Sequence, residues 1–321
     1  MNKACNWKPI IDKFLKRLTS WKARTLSFGG RLTLLKSVLG ALGTYFFSIF
    51  MAPKCVINYL EKLRRNFFWG GTLDSNKMAW VSWHKVCSST SCGGLGIGSL
   101  HAANLAMLVK WVWRFHSEPN SLWKSVITSI HGSNGGGFDT IDSPMPRMPL
   151  SPWKKIIELN KPLSHANFCL QSIFKRKVGN GSTFKFWEDI WIGESNFKSL
   201  FPRLFSLEVH KDCKIIDRCT FTNGLLSPNW AWRRNIRDGV EKSQLDDMML
   251  LLRDVSLVDS PDSWQFTLDA SNTFSVRSMT KCIELVILPF SSDKDFDFSM
   301  LKPILNFSFK FKDRSPIELP V

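Results

Sequence analysis

Tyrosine is nearly missing from this sequence, with 2 Tyr against 25 Phe and 14 Trp in 321 residues. Its aromatic mass is therefore almost wholly apolar. Most of the indoles are expected in the core or between packed elements, where burying one is worth about 2–3 kcal/mol. Hydrophobic residues make up 44% of the chain, which excludes disorder throughout and allows one large domain or two small ones. A membrane-length apolar run is also lacking. Between Lys36 and Lys54 lie 17 uncharged residues, diluted by Gly40, Gly43, Thr44 and Ser48. A span needs about 20 apolar residues, so a buried helix is the better reading. No signal-peptide pattern opens the sequence, so the 8 Cys are expected as reduced thiols of an intracellular protein.

Familiar active-site motifs are absent too. There is no G-x-x-x-x-G-K-[ST] phosphate loop and no G-x-S-x-G nucleophile turn. A template-directed polymerase needs carboxylates that hold two divalent ions, usually two of them in an aromatic-x-Asp-Asp turn between apolar strands. The single Asp-Asp pair, Asp246-Asp247, follows Gln244-Leu245 in a segment of helical period, where a solvated helix face is expected.

What the chain has is charge, unevenly placed. Residues 1–70 carry 13 Lys and Arg against Asp12 and Glu61, whereas residues 238–300 carry 12 acids against 5 bases. A basic front suits a polyanionic partner, and a solubilising excess of charge explains it equally well.

The first third reads as basic amphipathic helices. Ile10, Ile11, Phe14, Leu15, Leu18 and Trp21 fall at helical spacing, with Lys13, Lys16, Arg17 and Lys22 largely off that stripe. A second helix is expected from Arg31 to Ile49, with Leu35, Val38, Leu39, Leu42, Tyr45 and Phe46 on one face. A third begins at Pro53, buries Val56, Ile57, Leu60, Leu63 and Phe67, and stops at Gly70-Gly71. Short extended pieces are expected over Met78–Trp83. Helices follow over His101–Phe115 and after Pro119.

The Gly- and Pro-rich stretch 132–149 marks a linker. Beyond it, Gly179-Asn180-Gly181 predicts a hairpin joining Phe168–Val178 to Ser182–Trp187. Asp269–Asn272 predicts another, joining Trp264–Leu268 to Thr273–Val276. Leu245–Leu252 reads as helix, and the last residues as a loose tail.

Two sets of thiols and imidazoles are candidate zinc ligands. His84, Cys87, Cys92 and His101 lack the two tight pairs of a structural site, and His210, Cys213 and Cys219 lack a fourth member, so ordinary thiols are the better reading. Gly93-Gly94-Leu95-Gly96-Ile97-Gly98 has no strand–loop–helix context for a phosphate loop and reads as a tight turn or close backbone packing.

An ordered series of strings carries a family resemblance. It starts with Trp21-Lys22-Ala23-Arg24-Thr25-Leu26-Ser27-Phe28-Gly29-Gly30-Arg31 and continues through Leu34-Leu35-Lys36-Ser37-Val38-Leu39 and Leu60-Glu61-Lys62. Next come Phe67-Phe68-Trp69-Gly70, Lys77-Met78-Ala79-Trp80-Val81-Ser82-Trp83, Gly93–Ile97 and Lys110-Trp111-Val112-Trp113-Arg114. Phe186–Gly193, Trp230-Ala231-Trp232-Arg233-Arg234 and Phe274-Ser275-Val276-Arg277 close it. Over roughly residues 7–285 the chain resembles the post-catalytic region of plant non-LTR (LINE-type) retrotransposon reverse transcriptases.

Periodicity and resemblance together lead to the expectation of a mainly α fold with a smaller α+β part. Residues 1–131 would form a basic, thumb-like helical module and 132–149 a linker. Residues 150–285 would form a Trp-rich region with short hairpins leading toward the family's zinc-binding domain, and 286–321 a disordered tail. A thumb grips the template–primer duplex through its backbone, which implies RNA and DNA as partners, no membrane, and nuclear work. Lys13, Lys16, Arg17, Lys22, Arg24, Arg31, Arg64 and Arg65 are the expected phosphate contacts.

The catalytic aspartates and the downstream Cys/His cluster of the family have no counterpart in this sequence. No catalytic residue, metal or cofactor is therefore assigned to it; a divalent ion such as Mg would belong to an upstream polymerase domain. The chain alone is expected to be inactive as an RNA-directed DNA polymerase, a nucleotidyltransferase. Two alternatives stand beside the binding role: an intact polymerase truncated by gene prediction, and a non-functional relic.

Overall fold

The computed structural model describes residues 4–18, 25–39, 41–71, 77–132, 151–159, 170–222, 225–253 and 257–288, with Gly135, Leu163 and Val255 besides. Among these residues the fold is mainly α with two short antiparallel strand pairs. Its helices are α1 (Lys8–Arg17), α2 (Phe28–Leu34), α3 (Lys54–Phe68), α4 (Trp83–Cys87), α5 (Leu100–Ser117), α6 (Leu122–His131), α7 (Pro152–Ile157), α8 (Pro202–Leu207), α9 (Val240–Leu252) and α10 (Val276–Ile287), with single turns between some of them. The strands are β1 (Phe174–Lys177), β2 (Cys219–Thr222), β3 (Leu225–Pro228) and β4 (Ser263–Phe266). None of the described helices is long and apolar enough to cross a membrane.

Contacts divide the chain into two compact units, Met1–Gln171 with Leu268–Val321, and Ser172–Thr267. This division differs from a boundary at 132–149, a stretch of which only Gly132 and Gly135 are described. Trp153 of α7 lies against Phe115 of α5 and Trp123 of α6, with ring centroids 5.1 and 6.1 Å away. Further along, α10 returns to pack on α5, burying Met279 and Ile283. The chain after Thr267 therefore completes the first unit. The tail expected from residue 286 begins inside α10, and residues 289–321 lie outside the described set.

Serine starts many of the first unit's helices. Ser27, Ser82, Ser99, Ser151 and Ser275 each accept a backbone N–H three residues on, satisfying a donor that the first helical turn leaves open. The apolar stripe of α3 is the one expected: Val56, Ile57, Leu60, Leu63 and Phe67 are all buried. Against it pack Trp7, Ile10 and Phe14 at the front of the chain. The central helix α5 buries Leu105, Ala106, Leu108, Val109, Val112 and Phe115 around most of its circumference.

The helix expected over Arg31–Ile49 is broken. It runs as α2, widens into a π-type turn at Leu35–Leu39, and restarts as the single turn Thr44–Phe47. Gly43 lets that turn pack closely, because a Cβ there would come within 2.2 Å of the buried Phe47 ring. Asn104 of α5 holds the chain just beyond that turn. Its Nδ2 donates to the Phe47 and Phe50 carbonyls at 2.7 and 3.0 Å, and its Oδ1 accepts the Ala52 N–H at 2.9 Å. One buried amide thus satisfies the chain where it leaves the helix.

The second unit is built on aromatic rings. Phe184, Phe186, Trp187, Phe197 and Phe201 are buried, with Trp191, Trp230 and Trp232 packed against them. The indoles of the Trp-rich strings therefore serve packing. Both expected hairpins are corrected. β1 pairs not with the residues after Gly181 but with β4, in the register Phe174↔Phe266 to Lys177↔Ser263. Thr273–Val276 is not a strand, because Ser275 caps α10 there. The hairpin that does form joins β2 to β3.

A distant carboxylate holds the Gly179–Gly181 turn. Asp262 Oδ1 accepts the Gly179 and Gly181 N–H groups at 2.7 and 2.8 Å, and its Oδ2 accepts the Thr183 N–H and hydroxyl at 2.8 and 2.7 Å. Long-range pairing of this kind overrides a local turn signal.

Candidate nucleic-acid interface

The physics of a phosphate-binding surface asks for cations that are exposed and not already paired. Lys13, Lys16 and Arg17 meet that requirement. They lie at i, i+3 and i+4 on α1 and are exposed. On α3, Lys54, Lys62 and Arg65 lie at i, i+8 and i+11 and are exposed as well. Among the described residues none of these six makes an ion pair.

Arg64 is a correction. Its side chain is 1% exposed and is used up inside the first unit. Nη1 and Nη2 both donate to the Gly98 carbonyl at 3.1 Å, Nη2 also donates to Ile97, and Nη1 meets both oxygens of Glu61 at 3.0 and 2.9 Å. Glu61 further accepts the Trp83 indole N–H and the Leu100 backbone N–H, each at 2.8 Å. Glu61 and Arg64 therefore tie α3 to the start of α5. Gly94, in the glycine-rich loop between them, would carry a Cβ 2.1 Å from the Ser88 carbonyl, which fits the close-packing reading and not a phosphate loop.

Arg31 is half-buried, and burial holds its guanidinium below the ordinary arginine value. It stands 5.9 Å from the Phe28 ring centroid, which makes it a poor phosphate contact. Lys22 and Arg24 lie outside the described residues.

Arg65 also lines a cavity of about 830 Å³ in the first unit. Lys54, Lys62, Trp80, His84 and His101 line it too, none of them among the expected phosphate contacts. The polar face of α3, with Asn58 between Lys54 and Lys62, was the available signal. Burial first, and then the Lys54 charge, hold the His101 imidazole below its usual value against the opposing pull of Glu61. Trp80 is 69% exposed, unlike the buried indoles Trp7, Trp153 and Trp187.

The metal candidates do not assemble. Among the described residues no three His, Cys, Asp or Glu side chains come together to hold an ion. Cys87 is buried, and that burial pushes its thiol well above the ordinary range, while His84 is exposed. Burial likewise pushes Cys213 up to about 11 and Cys219 up to about 12, so both are packed thiols and not ready ligands. Asp246 and Asp247 are exposed on α9, away from any strand turn, and do not suit the paired carboxylates of a polymerase.

Comparison with known proteins places the chain beside two relatives. It is 30% identical over 284 residues to an Arabidopsis thaliana protein named as a ribonuclease H protein, a match covering 87% of this chain and 43% of that one. It is 28% identical over 153 residues to an uncharacterized mitochondrial protein of Arabidopsis thaliana, covering 47% of this chain and 93% of that one. Both relatives are plant proteins. The chain thus spans less than half the length of the first and matches nearly all of the second. No protein-family model matches it.

Proposed function

We propose that this chain is a nucleic-acid-binding part of a plant retroelement polymerase, and that it holds a template–primer by its phosphate backbone without catalysing synthesis. The observation that carries this reading is the set of exposed, unpaired cations on α1 and α3: Lys13, Lys16, Arg17, Lys54, Lys62 and Arg65. Two further lines support it. The strings from Trp21 to Arg277 resemble the region after the active site in plant LINE-type reverse transcriptases. One relative carries a ribonuclease H name, which points to nucleic acid.

Synthesis would fall to carboxylates and a divalent ion on another part of the polymerase, since this sequence has no aromatic-x-Asp-Asp turn. Binding is expected to be insensitive to base sequence and steeply weakened by salt, because each neutralised phosphate releases counterions. Reversing Lys13, Lys16 and Arg17 together to Glu in the 321-residue chain should weaken binding to an RNA–DNA duplex by about 10- to 100-fold and flatten its salt dependence. Unchanged affinity and slope would refute the assignment.

A further inference from the structure

The cavity beside α3 differs from a plain phosphate-binding face. Its cationic wall is formed by Lys54, Lys62 and Arg65. Facing solvent at the same cavity is Trp80, 69% exposed, and two residues before it in the chain stands Met78, 74% exposed. An indole left in water forgoes about 2–3 kcal/mol of burial, and among the described residues Trp80 is the one exposed indole.

The acidic residue of the cavity wall is Glu61, whose oxygens are turned to Arg64, Trp83 and the Leu100 N–H. The open charge of the wall is therefore positive. A volume of about 830 Å³ is that of a ligand cleft, generally ~300–1,000 Å³, which suits a short strand and is too small to enclose a duplex. Cations that follow a backbone, together with an exposed aromatic face for a base, are the two parts of a single-strand site.

We infer that this cavity binds single-stranded nucleic acid, with Lys54, Lys62 and Arg65 on the phosphates and one base stacked on Trp80. Asn58 and His101 line the same cavity and can hydrogen-bond the strand. The inference rests on the nucleic-acid reading above and adds a site for an unpaired stretch of strand, separate from duplex gripping by α1. Ribose and deoxyribose strands present the same phosphates and base faces, so the site accepts either.

The test is fluorescence anisotropy with the whole chain. The probes are a labelled oligonucleotide of about twelve pyrimidine nucleotides, in ribose and deoxyribose forms, and an abasic strand of the same length. Trp80→Ala should lower affinity for the base-bearing strand by about 5- to 150-fold, the range of base–aromatic stacking, and leave the abasic strand unaffected. Trp80→Phe should recover most of the loss. Lys62→Glu with Arg65→Glu should weaken both strands.

The exposure of all three side chains makes misfolding of these variants a small concern. If Trp80→Ala matches the parent on the base-bearing strand, or weakens both strands equally, the stacking site is overturned. The duplex reading then stands or falls by the α1 reversal. If the parent binds neither single strand nor duplex, the nucleic-acid reading itself has failed.

Discussion

Residues 1–70 set 13 Lys and Arg against two acids, whereas the unit Ser172–Thr267 sets 14 against 13. The two regions hold nearly the same number of cations and use them differently. In the second unit many are paired at home: Arg176 with Asp189, Lys185 with Glu188 and Asp212, Lys198 with Glu188, Arg218 with Glu208, Arg234 with Glu241, and Lys242 with Asp238. In the first region Arg64 is paired inside, while Lys13, Lys16, Arg17, Lys54, Lys62 and Arg65 are left for a partner. Number of cations is therefore a poor guide to binding, and what matters is whether an acid lies within reach. Each region nevertheless hides one carboxylate–guanidinium pair that is architecture, Glu61–Arg64 in the first and Glu208–Arg218 in the second.

The buried pairs give the largest expected effect. Glu208→Ala leaves Arg218 charged and nearly inaccessible, and takes an acceptor from Trp187 Nε1. Glu61→Ala does the same to Arg64, Trp83 and the Leu100 N–H. Each should cost about 3–5 kcal/mol in a urea unfolding experiment, because removing one partner strands a buried charge. A loss below ~1 kcal/mol would mean that these pairs are ordinary surface bridges.

Next comes the contrast in binding. The α1 triple reversal should weaken duplex binding by about 10- to 100-fold, while reversing Lys185, Lys198 and Lys242 should leave its salt dependence as it was. Equal effects from the two sets would erase the difference between the regions.

Asp262→Asn follows, at about 2 kcal/mol, since it weakens four hydrogen bonds to a charged acceptor. Burial pushes the Asp262 carboxyl up, but donors from Thr183, Gly179 and Gly181 outweigh it and hold the folded value below the ordinary one. Its stabilisation is therefore complete above the ordinary carboxylate pKa and is lost as pH falls through the lower folded value. Asp262→Asn should flatten that acid limb of a stability–pH curve, and an unchanged limb would assign it to other groups. The smallest effect belongs to Lys198→Ala. Its side chain is 48% exposed in a 3.4 Å bridge, so thermal unfolding should register less than about 1 kcal/mol.

The helices of the first unit were readable from the sequence because their signals are local. Pro53, the stripe from Val56 to Phe67, and Gly70 bound α3 on composition and period alone. The burial of Arg64 was readable as well. It follows Leu60 by four residues and precedes Phe67 by three, so it lies on the apolar stripe, with Glu61 three residues before it to neutralise it. Counting it among surface cations overlooked that spacing.

The strand pairing was not readable. Lys177 pairs with Ser263, and the carboxylate that organises the Gly179–Gly181 turn comes from Asp262, so nothing within a turn's length of Gly179 specifies either partner. The path of the chain after Phe47 depends on Asn104, more than 50 residues on. The cavity with Trp80 was equally hidden. Its string was visible as a motif, but only the fold sets it beside Lys62 and Arg65.

The central claim is that the exposed cations of α1 and α3 hold a nucleic-acid backbone. The most direct measurement is the affinity of the whole chain for an RNA–DNA duplex with a single-stranded overhang, across a range of salt concentrations. With Lys13, Lys16, Arg17, Lys54, Lys62 and Arg65 all on phosphates, the logarithm of the association constant should fall with the logarithm of salt at a slope of about −4 to −5, and each reversal should remove about 0.7–0.9. A slope near zero, or a steep slope that survives reversal of all six, would contradict the account.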